Sequence, residues 1–298
     1  LTVIAQGEYD DGWYRWGIQD YVFSPDGAWL AYTKMERSFN ESIFLYHLAG
    51  QKTHRVTGEL TEDFNPSFDP AGKYLYFLSH RNFAPVMGFV DQNHVFVDMC
   101  QPFMVILADD AQSPFAPKDS AAEIKDDAKD KDDDAEETAE DAPTRIDVDG
   151  IDRRIVAVEG VEPGNYFRLS AVDGGFVYLK RNGHQFLKYQ YVDDDTTDKL
   201  DLYHYDLEER ETKSVLAGIA NYHLSHDGKK LVYRSGKQYG VVDTGKSAKV
   251  GDGAVALDGV RIMVDRAAEF TQIFDEAWRV QRDWFYDPNM HGVDWQAM

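Results

Sequence analysis

Phe23-Ser24-Pro25-Asp26-Gly27, running straight into Trp29-Leu30-Ala31-Tyr32, is the stretch that sets the reading of this chain. One strand ends, a tight turn follows, and a short aromatic strand begins. Glycine supplies the positive φ such a turn needs, and aspartate caps its own backbone. The pattern returns as Phe68-Asp69-Pro70-Ala71-Gly72 before Tyr74-Leu75-Tyr76-Phe77, with the turn glycines 45 positions apart. It returns again as Leu169-Ser170-Ala171-Val172-Asp173-Gly174-Gly175 before Phe176-Val177-Tyr178-Leu179, and as Leu224-Ser225-His226-Asp227-Gly228 before Leu231-Val232-Tyr233. A second unit also repeats: Ile43-Phe44-Leu45-Tyr46-His47-Leu48 with Arg55-Val56-Thr57-Gly58 matches Leu202-Tyr203-His204-Tyr205-Asp206-Leu207 with Val215-Leu216-Ala217-Gly218. Both read as hairpins.

A period of about 40–50 residues carrying four short strands marks the blades of a β-propeller. An ordinary sandwich would not be expected to repeat both the turn and the hairpin. The fold class is therefore all-β, a β-propeller, with an α-helix at its C-terminal end. Setting aside an acidic insertion and the last 30 or so residues leaves roughly 240, or about five blades at that period. Gly72 and Gly174 stand more than one period apart, so the insertion and a divergent blade must fill that gap.

Composition narrows the function. The 298 residues hold 31 Lys and Arg against 53 Asp and Glu, a formal charge of −22. With 43% hydrophobic and 13% aromatic residues the chain can bury a core. Its longest apolar runs are strand-sized, whereas a membrane helix needs about 20 apolar residues. The acidity argues against a phosphate backbone as partner. Cys100 stands alone, so no intrachain disulfide forms, and a single cysteine argues against a cysteine-based zinc site; this suits a reducing compartment. Residue 1 is Leu, with no basic-then-apolar leader after it, so Leu1 is not expected to be the native start.

Residues 118–141 contain 12 acidic and 4 basic side chains and no aromatic one. Such a stretch cannot offset its ordering entropy and is expected to be a disordered, solvated loop. It reads as a tolerated insertion, or as a regulatory tether. It nets −8, leaving −14 elsewhere. That remainder predicts an acidic central channel and rim, which would attract cationic ligands and repel anionic ones.

The tail changes period. Phe270, Ile273, Phe274, Ala277, Trp278, Trp284 and Phe285 fall at helical spacing before Pro288. That aromatic face is too large to leave in water. A chain that stops at Met298, on a helix without encoded partners, reads as a truncation at the first helix of a second domain.

Motifs for chemistry are few. There is no G-x-S-x-G elbow, P-loop, dinucleotide fingerprint or H-E-x-x-H. His223 and His226 flank a strand and point to opposite faces, against joint metal ligation. Asp193, Asp194 and Asp195 read as a solvated turn, with a calcium site as the alternative. Asn40-Glu41-Ser42 is an incidental sequon in a cysteine-poor chain without a leader. His291 has no Ser or Cys to activate and reads as a packed or capping histidine. The chain thus offers no catalytic, cofactor-binding or metal-binding residue.

The tail nevertheless carries a resemblance. Phe274-Asp275-Glu276-Ala277-Trp278-Arg279, Arg282-Asp283-Trp284-Phe285-Tyr286-Asp287 and Met290-His291-Gly292-Val293-Asp294-Trp295 resemble the start of the first core domain of the tricorn protease family. Asn65-Pro66-Ser67-Phe68-Asp69-Pro70, with Gly72 to Phe77 and Ser79-His80-Arg81, resembles that family's second propeller. The resemblance covers essentially the whole chain outside the acidic stretch. It implies a partial seven-bladed propeller over residues 1–264, with its missing blades before Leu1, and the start of a mixed α/β peptidase core over 265–298. It implies, further, a cytoplasmic serine peptidase assembled as a hexamer. In that family the seven-bladed propeller gates access of oligopeptides, and aminopeptidases act downstream. No cofactor, nucleic acid or membrane is implied. The family's catalytic Ser and His of the first core domain lie beyond the Gly-Val-Asp-Trp motif, and its nucleophilic Ser and supporting Glu lie in the second. None carries over to this chain. The Ser-Pro-Asp-Gly turn is shared with TolB-like propellers, so the alternative is a binding or scaffold propeller without peptidase activity.

Overall fold

The structure, a computed structural model, describes residues 2–7, 17–90, 92–116, 143–183 and 200–298. The chain divides into two compact units, Leu1–Val255 and Ala256–Met298.

The first unit is a series of antiparallel sheets, each following the chain from inside to outside. β1 (Ile18–Phe23), β2 (Trp29–Met35), β3 (Glu41–His47) and β4 (Lys52–Arg55) form the first. The second takes β5 (Asp63–Phe68) and β6 (Tyr74–Ser79). After an excursion through a separate hairpin, β7 (Pro85–Met87) and β8 (His94–Phe96), it resumes with β9 (Gln101–Ile106) and β10 (Ile155–Ala157). The third holds β11 (Tyr166–Val172), β12 (Gly175–Arg181), β13 (Leu200–Asp206) and β14 (Glu211–Ile219). The fourth has three strands, β15 (Asn221–Leu224), β16 (Lys230–Ser235) and β17 (Gln238–Asp243). The outer edge of β17 is covered where Val241 donates to the Gly253 carbonyl at 2.9 Å and Val255 to that of Tyr239 at 2.8 Å.

The propeller stands. Division by period gave about five blades, whereas the described residues form four. The surplus length lies in the second blade, which spends residues 63–157 on its four strands because it also holds the β7–β8 hairpin and the acidic insertion. The insertion, residues 118–141, lies outside the described residues, as do Asp193, Asp194 and Asp195.

Three cores lie between four blades, as sheet-on-sheet stacking requires. Trp29, Ile43, Leu45, Leu75 and Phe77 pack the first against the second. Tyr76, Met104, Phe176, Tyr178 and Tyr205 pack the second against the third. Val177, Leu202, Leu216, Leu231 and Tyr233 pack the third against the fourth. Aromatic and β-branched side chains suit this arrangement, since both faces of an inner blade are buried. Phe176 stacks on Tyr205 with ring centres 4.8 Å apart.

The recurrent turn works as its residues suggest. Ser24 donates its hydroxyl to Asp26 at 2.6 Å and accepts from the Trp29 N–H at 2.9 Å. Ser225 repeats both contacts, with Asp227 at 2.6 Å and Lys230 N–H at 3.0 Å. Asp26 also reaches the next blade, accepting from the Thr144 N–H at 2.8 Å. Partial desolvation opposes it, but the donors Ser24, Ala28 and Thr144 prevail and hold the Asp26 carboxyl below its usual range.

The second unit is built on α1 (Arg266–Trp284). The helix begins four residues before the first apolar position at Phe270. Asp265 sets that start by accepting from the Ala267 and Ala268 N–H groups at 3.0 and 3.2 Å. Trp295 folds back, stacking on Trp278 and donating to its carbonyl at 3.2 Å. Phe270, Ile273, Phe274 and Val280 stay exposed. No described helix is long and apolar enough to cross a membrane.

Candidate functional site: the mouth at the start of the inner strands

The inner strands β1, β5 and β11 share an irregularity. Each slips register two or three residues in, between Gln19 and Val22, between Phe64 and Ser67, and between Phe167 and Ser170. At each slip a non-glycine residue takes the left-handed conformation: Asp20 (φ 52°), Asn65 (φ 55°) and Arg168 (φ 47°). Such bulges unpair the backbone and re-aim a side chain. They also cost conformational energy, which the surroundings must offset.

The compensation runs from blade to blade. Asp20 Oδ2 accepts from the Asn65 N–H at 2.9 Å. Asn65 Oδ1 accepts from the Leu169 N–H at 2.7 Å, and its Nδ2 donates to the Leu169 carbonyl at 3.2 Å. Ser67 Oγ accepts from the Ala171 N–H at 2.9 Å. The fourth blade closes the series, where the buried Tyr222 donates its hydroxyl to the Arg168 carbonyl and lies 3.1 Å from Ser170 Oγ. Burial pushes the Tyr222 hydroxyl up, so it remains a donor.

These residues open onto a cavity of about 590 Å³ lined by Asp20, Phe64, Asn65, Phe167, Arg168, Leu179, Arg181, Leu200, Ala220 and Arg234. Its ionisable groups are three guanidiniums and one carboxylate. Asp20 reaches solvent through the mouth yet has protein on most sides. That desolvation raises its carboxyl above the usual range, against the Asn65 N–H and the Arg168 charge, which both lower it. Arg181 lies over the Phe167 ring at 5.1 Å. On the second blade Arg81 grips the fully buried Asp63 through two bonds of 3.1 and 3.0 Å, its guanidinium over the rings of Phe77 and Phe103.

This reverses the expected sign. The acidity of the whole chain predicted an acidic channel; the described mouth is basic. Net charge is a sum and carries no placement. A signal was present in the sequence: each second strand carries a basic residue within two positions of its end, Lys34, Arg81, Arg181 and Arg234 in turn, and the last two line the cavity.

The other candidates are dispersed. His223 sits on β15 opposite Val232, and His226 in the turn after it. Asn40 donates its side-chain amide to the Glu59 carbonyl at 3.2 Å. His291 contacts the Tyr286 hydroxyl and stands 3.2 Å from Asp287, its ring edge-on to Phe285. Among the described residues no group of three or more His, Cys, Asp or Glu is placed to hold a metal ion. Cys100 is wholly buried, and burial pushes its thiol far up.

Stacked antiparallel sheets, three of four strands and one of three, with a cavity at the start of the inner strands, define a β-propeller module. The description "Tricorn protease second beta propeller domain" matches residues 14–245, and "Tricorn protease C1 domain" matches 266–298. The chain belongs to the tricorn protease family. It is 31% identical over 283 residues to tricorn protease homolog 1 of Streptomyces coelicolor, covering 93% of this chain and 26% of that protein. It is 24% identical over 280 residues to the tricorn protease of Thermoplasma acidophilum, covering 91% and 24%. A crystal structure of tricorn protease shares the fold with a TM-score of 0.72 at 21% identity, over 96% of this chain and 26% of the other. The chain thus spans about a quarter of the length of these relatives.

Proposed function

We propose that this chain is the non-catalytic, substrate-gating propeller portion of a tricorn-type serine peptidase that degrades oligopeptides in the cytoplasm as a hexamer. Residues 1–264 form the propeller portion and 265–298 begin the peptidase core. The observation that carries the reading is the succession on one chain of a second-propeller match and a C1-domain match. A scaffold propeller has no use for the exposed aromatic helix that follows; a peptidase core does. The mouth adds physical sense. It is open, with Asp20, Asn65 and three arginines set among apolar side chains on strands locked to one another, which suits passage of a chain better than retention of a small molecule. Acyl transfer needs a nucleophile, a base and oxyanion donors, and the family's set belongs to segments beyond Gly292-Val293-Asp294-Trp295.

The test compares turnover of fluorogenic oligopeptides by the 298-residue chain and by the longer protein that carries it. The chain alone should release no fluorophore and the longer protein should. Turnover by the chain that survives repurification and protease-inhibitor controls would overturn the division of labour.

A further inference from the structure

The cavity at the inner-strand mouth differs in sign from the rest of the molecule. Three of its four ionisable lining groups are arginines, within a chain of net charge −22. Among the described residues neither Arg168 nor Arg234 forms an ion pair within 4.0 Å; Asp20 acts on Arg168 only through its field. Apart from Asn65, the rest of the wall is apolar: Phe64, Phe167, Leu179, Leu200 and Ala220. An apolar wall lowers the local dielectric and strengthens any charge contact made there.

Arg168 is also held from below. Its own backbone is left-handed (φ 47°), its carbonyl accepts from Tyr222, and the next residue is clasped by Asn65 through bonds of 2.7 and 3.2 Å. A side chain issued from such a fixed backbone loses less freedom on binding. The planar guanidinium fork matches a carboxylate in two parallel bonds, which an ammonium cannot do.

We propose that this mouth binds a peptide carboxylate, with Arg168 and Arg234 as its principal donors and Arg181 in the same wall. The carboxylate comes from a Glu or Asp side chain or from the peptide C-terminus; both offer the same two oxygens. The inference rests on the peptide-gating reading above. It selects acidic peptides, opposite to what the overall charge suggests.

The test measures fluorescence anisotropy of labelled hexapeptides on the 298-residue chain, with no turnover involved. Four Ala/Gly peptides are compared: a free C-terminal acid, an amidated peptide with two central Glu, an amidated neutral one, and an amidated one with two central Lys. At least one carboxylate peptide should bind about tenfold or more tighter than the Lys peptide at low salt. The preference should shrink as salt rises. The free acid and the Glu peptide identify the source. The double substitution Arg168→Gln, Arg234→Gln should reduce the carboxylate peptides to the level of the neutral one. Arg168→Lys with Arg234→Lys should keep part of the affinity, since charge remains and the fork is lost. Asp20→Asn should tighten carboxylate binding by removing the opposing charge, and this arm stands even if an arginine variant unfolds. Equal binding of Glu and Lys peptides, no binding of either acid, or a preference unmoved by Asp20→Asn would overturn the proposal. Loss of this preference would leave peptide passage in the longer protein untouched, and blocked passage would leave the preference measurable, so the two readings fail separately.

Discussion

Asn65 clasps the backbone of Leu169, its Oδ1 accepting from the N–H at 2.7 Å and its Nδ2 donating to the carbonyl at 3.2 Å. One side chain thereby imitates the two-bond pairing of a β-ladder between strands of different blades. It does so from a left-handed backbone at φ 55°, a conformation asparagine tolerates better than most residues. The inner strands are locked to one another by such contacts, and the mouth takes its shape from them.

Asn65→Ala should therefore cost about 2–4 kcal/mol, from two hydrogen bonds at roughly 1 kcal/mol each and left-handed strain on alanine. Asn65→Gly removes the bonds but not the backbone freedom, and should cost less. Urea unfolding midpoints check this. An alanine variant within about 0.5 kcal/mol of the parent would show that the clasp is not a stabilising contact.

The adjacent glycines at the third turn are needed for different reasons. Gly174 has φ 72° and open space where a Cβ would stand. A Cβ on Gly175 would lie 1.9 Å from the Tyr205 carbonyl oxygen, a backbone atom that cannot move aside. Gly174→Asn should cost less than about 1 kcal/mol. Gly175→Ala should cost about 3 kcal/mol or more. Thermal melts of the two variants should separate clearly, and similar melts would refute the steric assignment.

Arg81→Ala would strand a carboxylate that is 0% exposed. Asp63 keeps bonds from Ser79 at 2.5 Å and Thr61 at 2.9 Å, but a buried charge without its cation costs about 3–5 kcal/mol. Combining Arg81→Ala with Asp63→Asn should recover part of that loss. A double variant no better than the single one would mean that the stacking of Arg81 on Phe77 and Phe103 matters more than its charge.

Asp20 gives a pH dependence with a definite sign. Its folded carboxyl is raised, so its contribution to stability is fully present below the unfolded value near 3.8 and is lost as pH rises through the raised folded value. Asp20→Asn should thus melt higher than the parent at pH 7, with the gain fading as the buffer is acidified toward pH 4. A variant less stable at pH 7 would show that attraction to Arg168 outweighs desolvation.

Much of the fold was legible because its devices are local. Ser24 and Asp26 form a turn from their own side chains, with Gly27 supplying the positive φ, so four turns of this kind announced a repeat. The tail announced a helix through its apolar spacing, though its start needed Asp265, a cap outside that pattern. The mouth was not legible in the same way. Asp20, Asn65 and Arg168 occupy equivalent bulges with three different side chains, because each solves the same backbone problem against a different neighbour. Their meeting depends on blade stacking, a long-range contact that periodicity cannot register. The sign of the mouth failed for a related reason: acidic residues dominate the count, while a few arginines dominate the place.

The most direct test of the gating account places a plug in the mouth of the longer protein that carries this chain. Arg234→Cys puts a reactive thiol on the lining, while Cys100 stays buried and inert. After reaction with a bulky maleimide, hydrolysis of peptides of about 12 residues should fall at least tenfold relative to the unlabelled variant and to reagent-treated parent, with a much smaller loss for a two-residue fluorogenic substrate. Unchanged hydrolysis of long peptides by fully labelled protein would contradict the account, because the route to the catalytic core would then lie elsewhere.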